Sequence, residues 1–347
     1  MADLHCHNWS AFSNVDVDLG INNRLMHILD ELKRCAAEVL KAGGDTIIIA
    51  GDMFHVRGNV SPSVFNPIKY TLASLRDDGI KFQIIAGNHD LQSKESEALG
   101  SSVNMLREDS VKIYHRRGIV NNPVTVILIP WHSTVPLYKE AINETVGIYH
   151  DPAQRAAIDL IVHLGIDGSL PYDDGHNVKA DWLRNLGFKR VFSGHFHNHK
   201  NFGNGIYSIG SPTHHSFRDV GTKSGFMIVH QDSEKWFSSR APHFIDIDGS
   251  EDHAMLPFIV DGHYVRAKTN FDTPKEIEDA REMLITYGAL GVQIVNATSN
   301  LSSVRSGTSV KTIDDLDSSV VNYINEQTLR SDAISLCADI LKEAREV

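Results

Sequence analysis

The sequence predicts an α/β protein built on a largely parallel, many-stranded sheet, with a second and smaller α/β domain towards its C-terminal end. Three observations predict it: helical spacing alternates with short β-branched runs over the first ninety residues, further apolar runs follow with turn chemistry between them, and the texture changes after about Ile247. Residues 24 to 42 place Leu25, Ile28, Leu29, Leu32, Ala36, Val39 and Leu40 on one helical face, and Gly43-Gly44 supplies the stop. Thr46 to Ala50 is a β-branched strand, Val64, Ile68, Leu72 and Leu75 mark a second helix, and Lys81 to Ala86 is a second strand. Strand, helix and strand in that order give a βαβ unit and hence parallel pairing.

Further strands are expected at Val124 to Ile129, Leu160 to Leu164, Arg190 to Phe192, Ile206 to Ile209 and Phe226 to Val229, enough for two packed sheets. Gly249-Ser250-Glu251-Asp252 is a polar break, followed by a strand (Tyr264 to Ala267), a helix (Pro274 to Tyr287) and a strand (Val292 to Ala297). The expected division is therefore a large domain over 1–248 and a small α/β domain over 255–347. Within the latter, 299–318 reads as a polar loop and Asp332 to Glu346 as a terminal helix. No internal repeat or low-complexity tract is evident.

Composition excludes several classes. The 347 residues, 41% hydrophobic and 22% charged, are ordinary for a globular protein and rule out a disulfide miniprotein or a disordered chain. No apolar run approaches the 18 or so residues that a membrane span needs, and Asp3, His5 and His7 stand where a signal peptide would be basic and then apolar, so the expected compartment is the cytoplasm. Three scattered cysteines (Cys6, Cys35, Cys337) offer no disulfide framework or CxxC pair. A net charge of −11 is wrong for a protein that coats nucleic acid by charge alone, so a polyanionic substrate would need a local attractor. Nineteen histidines raise the question of metal.

The chemistry gathers in clusters at strand ends: Gly51-Asp52, Gly87-Asn88-His89-Asp90, His163, and Gly194-His195-Phe196-His197, with Asp3-Leu4-His5 opening the chain. In an open α/β sheet the carboxyl ends of the strands converge on one crevice, so these distant segments can meet there. Asp3, His5, Asp52, Asn88, His163, His195 and His197 form a mixed oxygen and nitrogen donor set without thiolate. That suits a catalytic Mn, Fe or Zn centre over a structural zinc site. Seven donors exceed the need of one ion. Two ions sharing a carboxylate would use them all, clamping a phosphoryl group and supplying a hydroxide.

The ordered series Asp3-x-His5, Gly51-Asp52, Gly87-Asn88-His89-Asp90, His163 and Gly194-His195-x-His197 resembles the calcineurin-like metallophosphoesterases over roughly residues 1 to 230. Asp52-Met53-Phe54-His55, Gly210-Ser211-Pro212 and Lys223-Ser224-Gly225-Phe226 further resemble the DNA double-strand-break repair nucleases of the SbcD type. The resemblance implies a four-layer β-sandwich with a small C-terminal capping domain. It implies one ion on Asp3, His5, Asp52 and His197 and another on Asp52, Asn88, His163 and His195, with Mn²⁺ expected and Fe²⁺ or Zn²⁺ as alternatives. It makes His89 the catalytic histidine, Asp90 its orienting partner and His55 a neighbour of the scissile phosphate. The implied activity is hydrolysis of DNA phosphodiesters in end processing, repair or recombination, with an SbcC-type ATPase and a second copy of the chain as partners and the terminal helix as a contact. A phosphoesterase of small nucleotides or phosphoproteins, and a non-catalytic scaffold of the same fold, are the alternatives.

His7 and Cys6 neighbour the first pair in sequence and are read as bystanders, because successive side chains of an extended segment point apart. His199 and His214-His215 are read as loop residues or substrate contacts. Arg57 and Arg116-Arg117 are read as solvated surface with DNA phosphates as the functional alternative. With Met1-Ala2 alone ahead of Asp3, a full first strand is not expected. Asp3 and His5 should then hang on a mobile terminus unless residues upstream complete the sheet, and their ion should be the weaker one.

Overall fold

A computed structural model of the chain describes residues 1–93, 96, 98–121, 124–170, 177–271 and 273–296. Its strands begin with β1 (Thr46–Ala50), β2 (Lys81–Ile85), β3 (Val111–Tyr114), β4 (Gly118–Asn121), β5 (Thr125–Ile129) and β6 (Ile158–His163). They continue with β7 (Gly165–Ile166), β8 (Asn177–Val178), β9 (Arg190–Gly194), β10 (Lys200–Asn201) and β11 (Ile206–Ser208). The last are β12 (Gly225–Val229), β13 (Glu234–Ser238), β14 (Phe244–Ile247), β15 (Tyr264–Thr269) and β16 (Gly291–Asn296).

Two sheets matter for function. The first runs β1-β2-β3, all parallel, with Ile47 opposite Phe82 and Phe82 opposite Val111. The second runs β10-β11-β9-β6-β5-β4: its four inner strands are parallel and the two edge strands antiparallel. The inner strands are apolar on both faces, as in β6, where all six residues are buried. That is the pattern of a parallel sheet covered on both sides.

The covering helices form for local reasons. Asn22 caps the helix Asn23–Lys41 by accepting from the amides of Arg24 and Leu25, an arrangement worth about 1 kcal/mol. Its apolar stripe joins that of Pro62–Asp77 in one core cluster against β1, β2 and β3. Tyr138 and Ile142 of the helix Val135–Ile148 and Leu183 of Ala180–Asn185 pack with Ile127, Leu160 and Val191 of the second sheet. Between the two sheets lies a third cluster, which includes Ala50, Ile85, Leu128, Ile161 and Phe192. At the starting ends of the strands this layer opens into a cavity of about 300 Å³ lined by Met1, Ile48, Val126, Ile161, Phe192, Met227 and Val229. β14, β15 and β16 make a small separate sheet with its own apolar cluster around Val265, Val260 and Leu284.

Residues 1 to 6 depart from expectation. They do not hang free but run beside β1 and the loop that follows it: the Met1 ammonium donates to the Ile48 carbonyl (2.9 Å), and the Asp3, His5 and Cys6 amides donate to Gly51, Asp52 and Met53 (3.0 Å each). In return the Ala50 amide donates to Met1 (2.8 Å), and Asp3 and His5 are buried. The backbone hydrogen bonds of β1's open edge hold the segment without a regular strand. The remainder of the expected small domain, 297–347 with its polar loop and terminal helix, lies outside the described residues.

Candidate metal centre

The carboxyl ends of β1, β2, β6 and β9 meet the N-terminal segment in one crevice, as the switch-point rule requires. Asp52 lies two residues past β1, Asn88 three past β2, His163 ends β6, and His195 follows β9. The backbone is contorted where it delivers them. Asp3 (φ 53°), His5 (φ 45°), Asp52 (φ 53°) and His195 (φ 99°) all occupy the left-handed region. Such residues cost roughly 1–3 kcal/mol each and persist where surrounding structure over-determines them. Two glycines make the closeness possible. A Cβ on Gly51, itself at φ 92°, would overlap the His163 ring, and one on Gly87 would overlap the Asp52 carboxylate.

The donor atoms converge in two groups around Asp52. Its Oδ2 lies 3.5 Å from His5 Nε2 on one side and 3.5 Å from His163 Nε2 on the other. On the His163 side, Asn88 Oδ1 is 3.2 Å from both His163 Nε2 and His195 Nδ1. On the His5 side, ligand atoms of Asp3, His5 and His197 lie within 4.8 Å of one another, as do those of Asp3, Asp52 and His163. Metal–ligand bonds of about 2.1 Å separate adjacent ligand atoms by about 3–3.4 Å, so the 3.2 and 3.5 Å spacings around Asp52 and Asn88 are close to the edges of a coordination shell. All seven residues singled out as ligands are brought together.

His163 and His197 are turned towards the centre by what their other nitrogen does. His163 Nδ1 donates to the Ala50 carbonyl (2.7 Å), leaving Nε2 inward. His197 Nδ1 donates to Asp219 Oδ1 (3.0 Å), while the other oxygen of Asp219 accepts from the amides of His215 (2.7 Å) and Ser216 (3.0 Å). His215 in turn donates from Nε2 to the Asp3 carbonyl (3.1 Å). The Asp3 carboxylate accepts from the His195 amide at 2.9 and 3.1 Å. The Trp131 ring lies 4.9 Å from that of His195 and walls this side.

Electrostatics follow from burial and crowding. Burial pushes the Asp52 carboxyl up, yet His163, His5 and His89 outweigh it and hold the group well below the usual carboxylate range. Burial raises Asp3. It drives His5 well below the usual histidine range. His163 and His197 go the other way despite burial, raised to about 9 by Asp52 and Asp219 respectively.

Of the three residues expected to act on substrate, His89 and His55 are partly exposed beside the centre and Asp90 is buried. His89 Nδ1 donates to the His55 carbonyl (2.5 Å), and the His89 amide donates to Asp52 Oδ1 (2.8 Å), so the ring is fixed against the centre. Asp90 has a different task from the one expected of it. Its carboxylate accepts from the amides of Gly87 (3.0 Å), Met53 (3.2 Å) and Phe54 (3.3 Å), tying the β1 and β2 loops together, and burial raises it to about 7. His55 sits with its ring 5.5 Å from that of His89 and 4.3 Å from that of Trp9. Cys6 belongs to the hydrophobic core, and His199 stacks on Trp236 outside the centre.

Sequence reasoning did not single out Asp219, Trp9 or Trp131. Asp219 did leave a signal: Ser216-Phe217-Arg218-Asp219 has the spacing of a capping box, and the structure forms one. What that pattern cannot convey is that the same carboxylate also reaches back to His197.

Residues 1–199 match the family model for calcineurin-like phosphoesterases. Among curated proteins the chain is similar to exonuclease subunit 1 of Enterobacteria phage T4, at 27% identity over 60% of this chain and 59% of that one. It is also similar to the DNA double-strand break repair protein Mre11 of Methanocaldococcus jannaschii, at 24% identity over 44% of this chain and 41% of that one. The chain thus spans about half the length of these relatives. No helix among the described residues is long and apolar enough to cross a membrane.

Proposed function

Because the chain belongs to the calcineurin-like phosphoesterases, we propose that it is a dinuclear-metal phosphodiesterase that hydrolyses DNA. The observation that carries the reading is the placement of Asp52 Oδ2 equidistant from His5 Nε2 and His163 Nε2, which suits one carboxylate shared by two ions. Asp3, His5, Asp52 and His197 would hold one ion, and Asp52, Asn88, His163 and His195 the other. Mn²⁺ is our choice for the oxygen and nitrogen donor set. Such a pair, when bound, supplies positive charge for the phosphoryl oxygens and a water acidic enough to act as nucleophile.

The chain's own residues do the rest. His89, held through Nδ1 by the His55 carbonyl, presents Nε2 to the leaving oxygen and gives it a proton. Asp90 keeps the His55 and His89 loops in register, so that the acid and the ligands move as one body. The Trp131 ring lies against that of His195 and the Trp9 ring against that of His55, giving the site two aromatic flanks. The local concentration of cationic charge answers the problem of an acidic protein with a polyanionic substrate.

DNA as substrate is supported by the two relatives, one named as an exonuclease subunit and the other as a double-strand break repair protein. An ATPase partner of the SbcC type and a second copy of the chain belong to the same proposal, supported by the word "subunit" in the phage relative's name. So does a four-layer sandwich with a small C-terminal cap, supported by apolar clusters on the outer faces of both sheets and between them. The test is Mn²⁺-dependent digestion of end-labelled duplex by wild type and His89→Ala side by side. Wild type should cut, and His89→Ala should lose about 10²–10⁴-fold while binding Mn²⁺ normally. Failure to cut any DNA end while a small phosphate ester is hydrolysed would assign the site to small phosphoesters.

A further inference from the structure

Arg57 lies on the loop that leaves β1, five residues past Asp52 and two past His55. Its Nε donates to the backbone carbonyl of Asn88 (2.7 Å), the residue whose side-chain oxygen faces His163 and His195. The loop is anchored again one residue later, where Ser102 Oγ donates to the Gly58 carbonyl (2.7 Å). The guanidinium is therefore held in place through one of its five N–H groups. Its Nη2 is shielded from solvent and has no hydrogen-bond acceptor, and no carboxylate pairs with Arg57 among the described residues. On a chain with a net charge of −11, a fixed arginine that no described carboxylate pairs with, beside a candidate metal centre, is conspicuous.

We propose that Arg57 is a substrate-positioning residue: it grips a phosphate neighbouring the scissile one, and so makes the centre prefer polynucleotides to esters carrying a single phosphate. With Nε engaged and Nη2 shielded, Nη1 is the edge left to meet a phosphate oxygen, and a guanidinium already held in place loses little freedom in doing so. Arg57 is held on the backbone of Asn88, whereas the oxygen that faces His163 and His195 is on its side chain. We therefore place its partner at the phosphate next to the scissile one, a group that a polynucleotide carries and a simple diester lacks. The assignment rests on the DNA reading above.

The test uses the full chain with Mn²⁺, comparing Arg57→Gln and Arg57→Lys with wild type on an oligonucleotide and on bis(4-nitrophenyl) phosphate, which has one phosphate. Arg57→Gln should lower kcat/KM on the oligonucleotide about tenfold or more, chiefly through KM, and leave the small diester within about twofold. The slope of log(kcat/KM) against log[salt] should fall by about 1, as expected for the loss of one phosphate contact, and Arg57→Lys should restore part of the slope. Equal losses on both substrates together with weakened Mn²⁺ binding would make Arg57 a mere prop for Asn88 and overturn the assignment. An unchanged salt slope would overturn it too. If wild type cuts the oligonucleotide and Arg57→Gln matches it, the assignment falls alone. If wild type spares the oligonucleotide but hydrolyses the small diester, the DNA reading falls and takes the assignment with it.

Discussion

The two halves of the candidate metal centre are built by different means. On the His163 side every ligand follows or ends a regular strand, and His163 is aligned by a main-chain carbonyl of β1. On the His5 side Asp3 and His5 sit on a segment that is bonded to β1 without being a strand, and His197, three residues past β9, is aligned by a side chain, Asp219. A ligand fixed by the sheet moves only if the sheet moves. One fixed through Asp219, His215 and the Asp3 carbonyl depends on three further groups keeping their places. Rigidity is inherited on one side and assembled on the other, and the His163 side should bind its ion more tightly.

The largest effect should come from the residue the halves share. Asp52→Asn should reduce phosphoesterase turnover by at least about 10²–10³-fold and lower bound metal below two equivalents, as elemental analysis would report. Loss of only one equivalent with near-normal turnover would mean that the halves work independently. A smaller and one-sided effect is expected of Asp219→Asn, about 10–100-fold in affinity for the His5-side ion with the other site unchanged. Calorimetry that resolves two equally tight sites in wild type, or equal weakening of both in the variant, would erase the distinction drawn here.

Alike in both halves, and smallest over a single pH unit, is the response to pH. His163 and His197 are each raised to about 9 in the metal-free protein, so each carries a proton at pH 7 that an ion must displace. Affinity at each site should climb with pH, by up to about tenfold per unit, and level off above about pH 9. Titrations in buffers of different ionisation enthalpy should reveal the released protons. A pH-independent affinity at one site would show that its histidine is already neutral.

Much of this was legible in the sequence because strand-end clusters combine two strong signals, apolar runs that form strands whatever surrounds them and polar residues that have no reason to follow them otherwise. The helix over 24 to 42, the strands at Thr46 and Leu160 and the seven ligands rest on such signals, and the structure places them within a residue or two. β3 was missed although Val111-Lys112-Ile113-Tyr114 alternates in burial, because a four-residue run is weak by itself. Asp219, Trp9 and Asp90's true partners were illegible for another reason: their roles are set by contacts between segments far apart in sequence. The mobility expected of the first residues failed because local sequence says nothing about an unsatisfied strand edge waiting in β1.

That edge has a practical side. Met1 lies with its ammonium against Ile48 at the rim of the cavity between the sheets, where Ile48 of β1 and Met227 and Val229 of β12 face the same space. Anything fused ahead of Met1 would start at the rim of this cavity, two residues from a proposed metal ligand. A short aliphatic leader would suit the apolar part of that lining, whereas a charged purification handle would meet there Asp159 and Arg190, which already pair with each other.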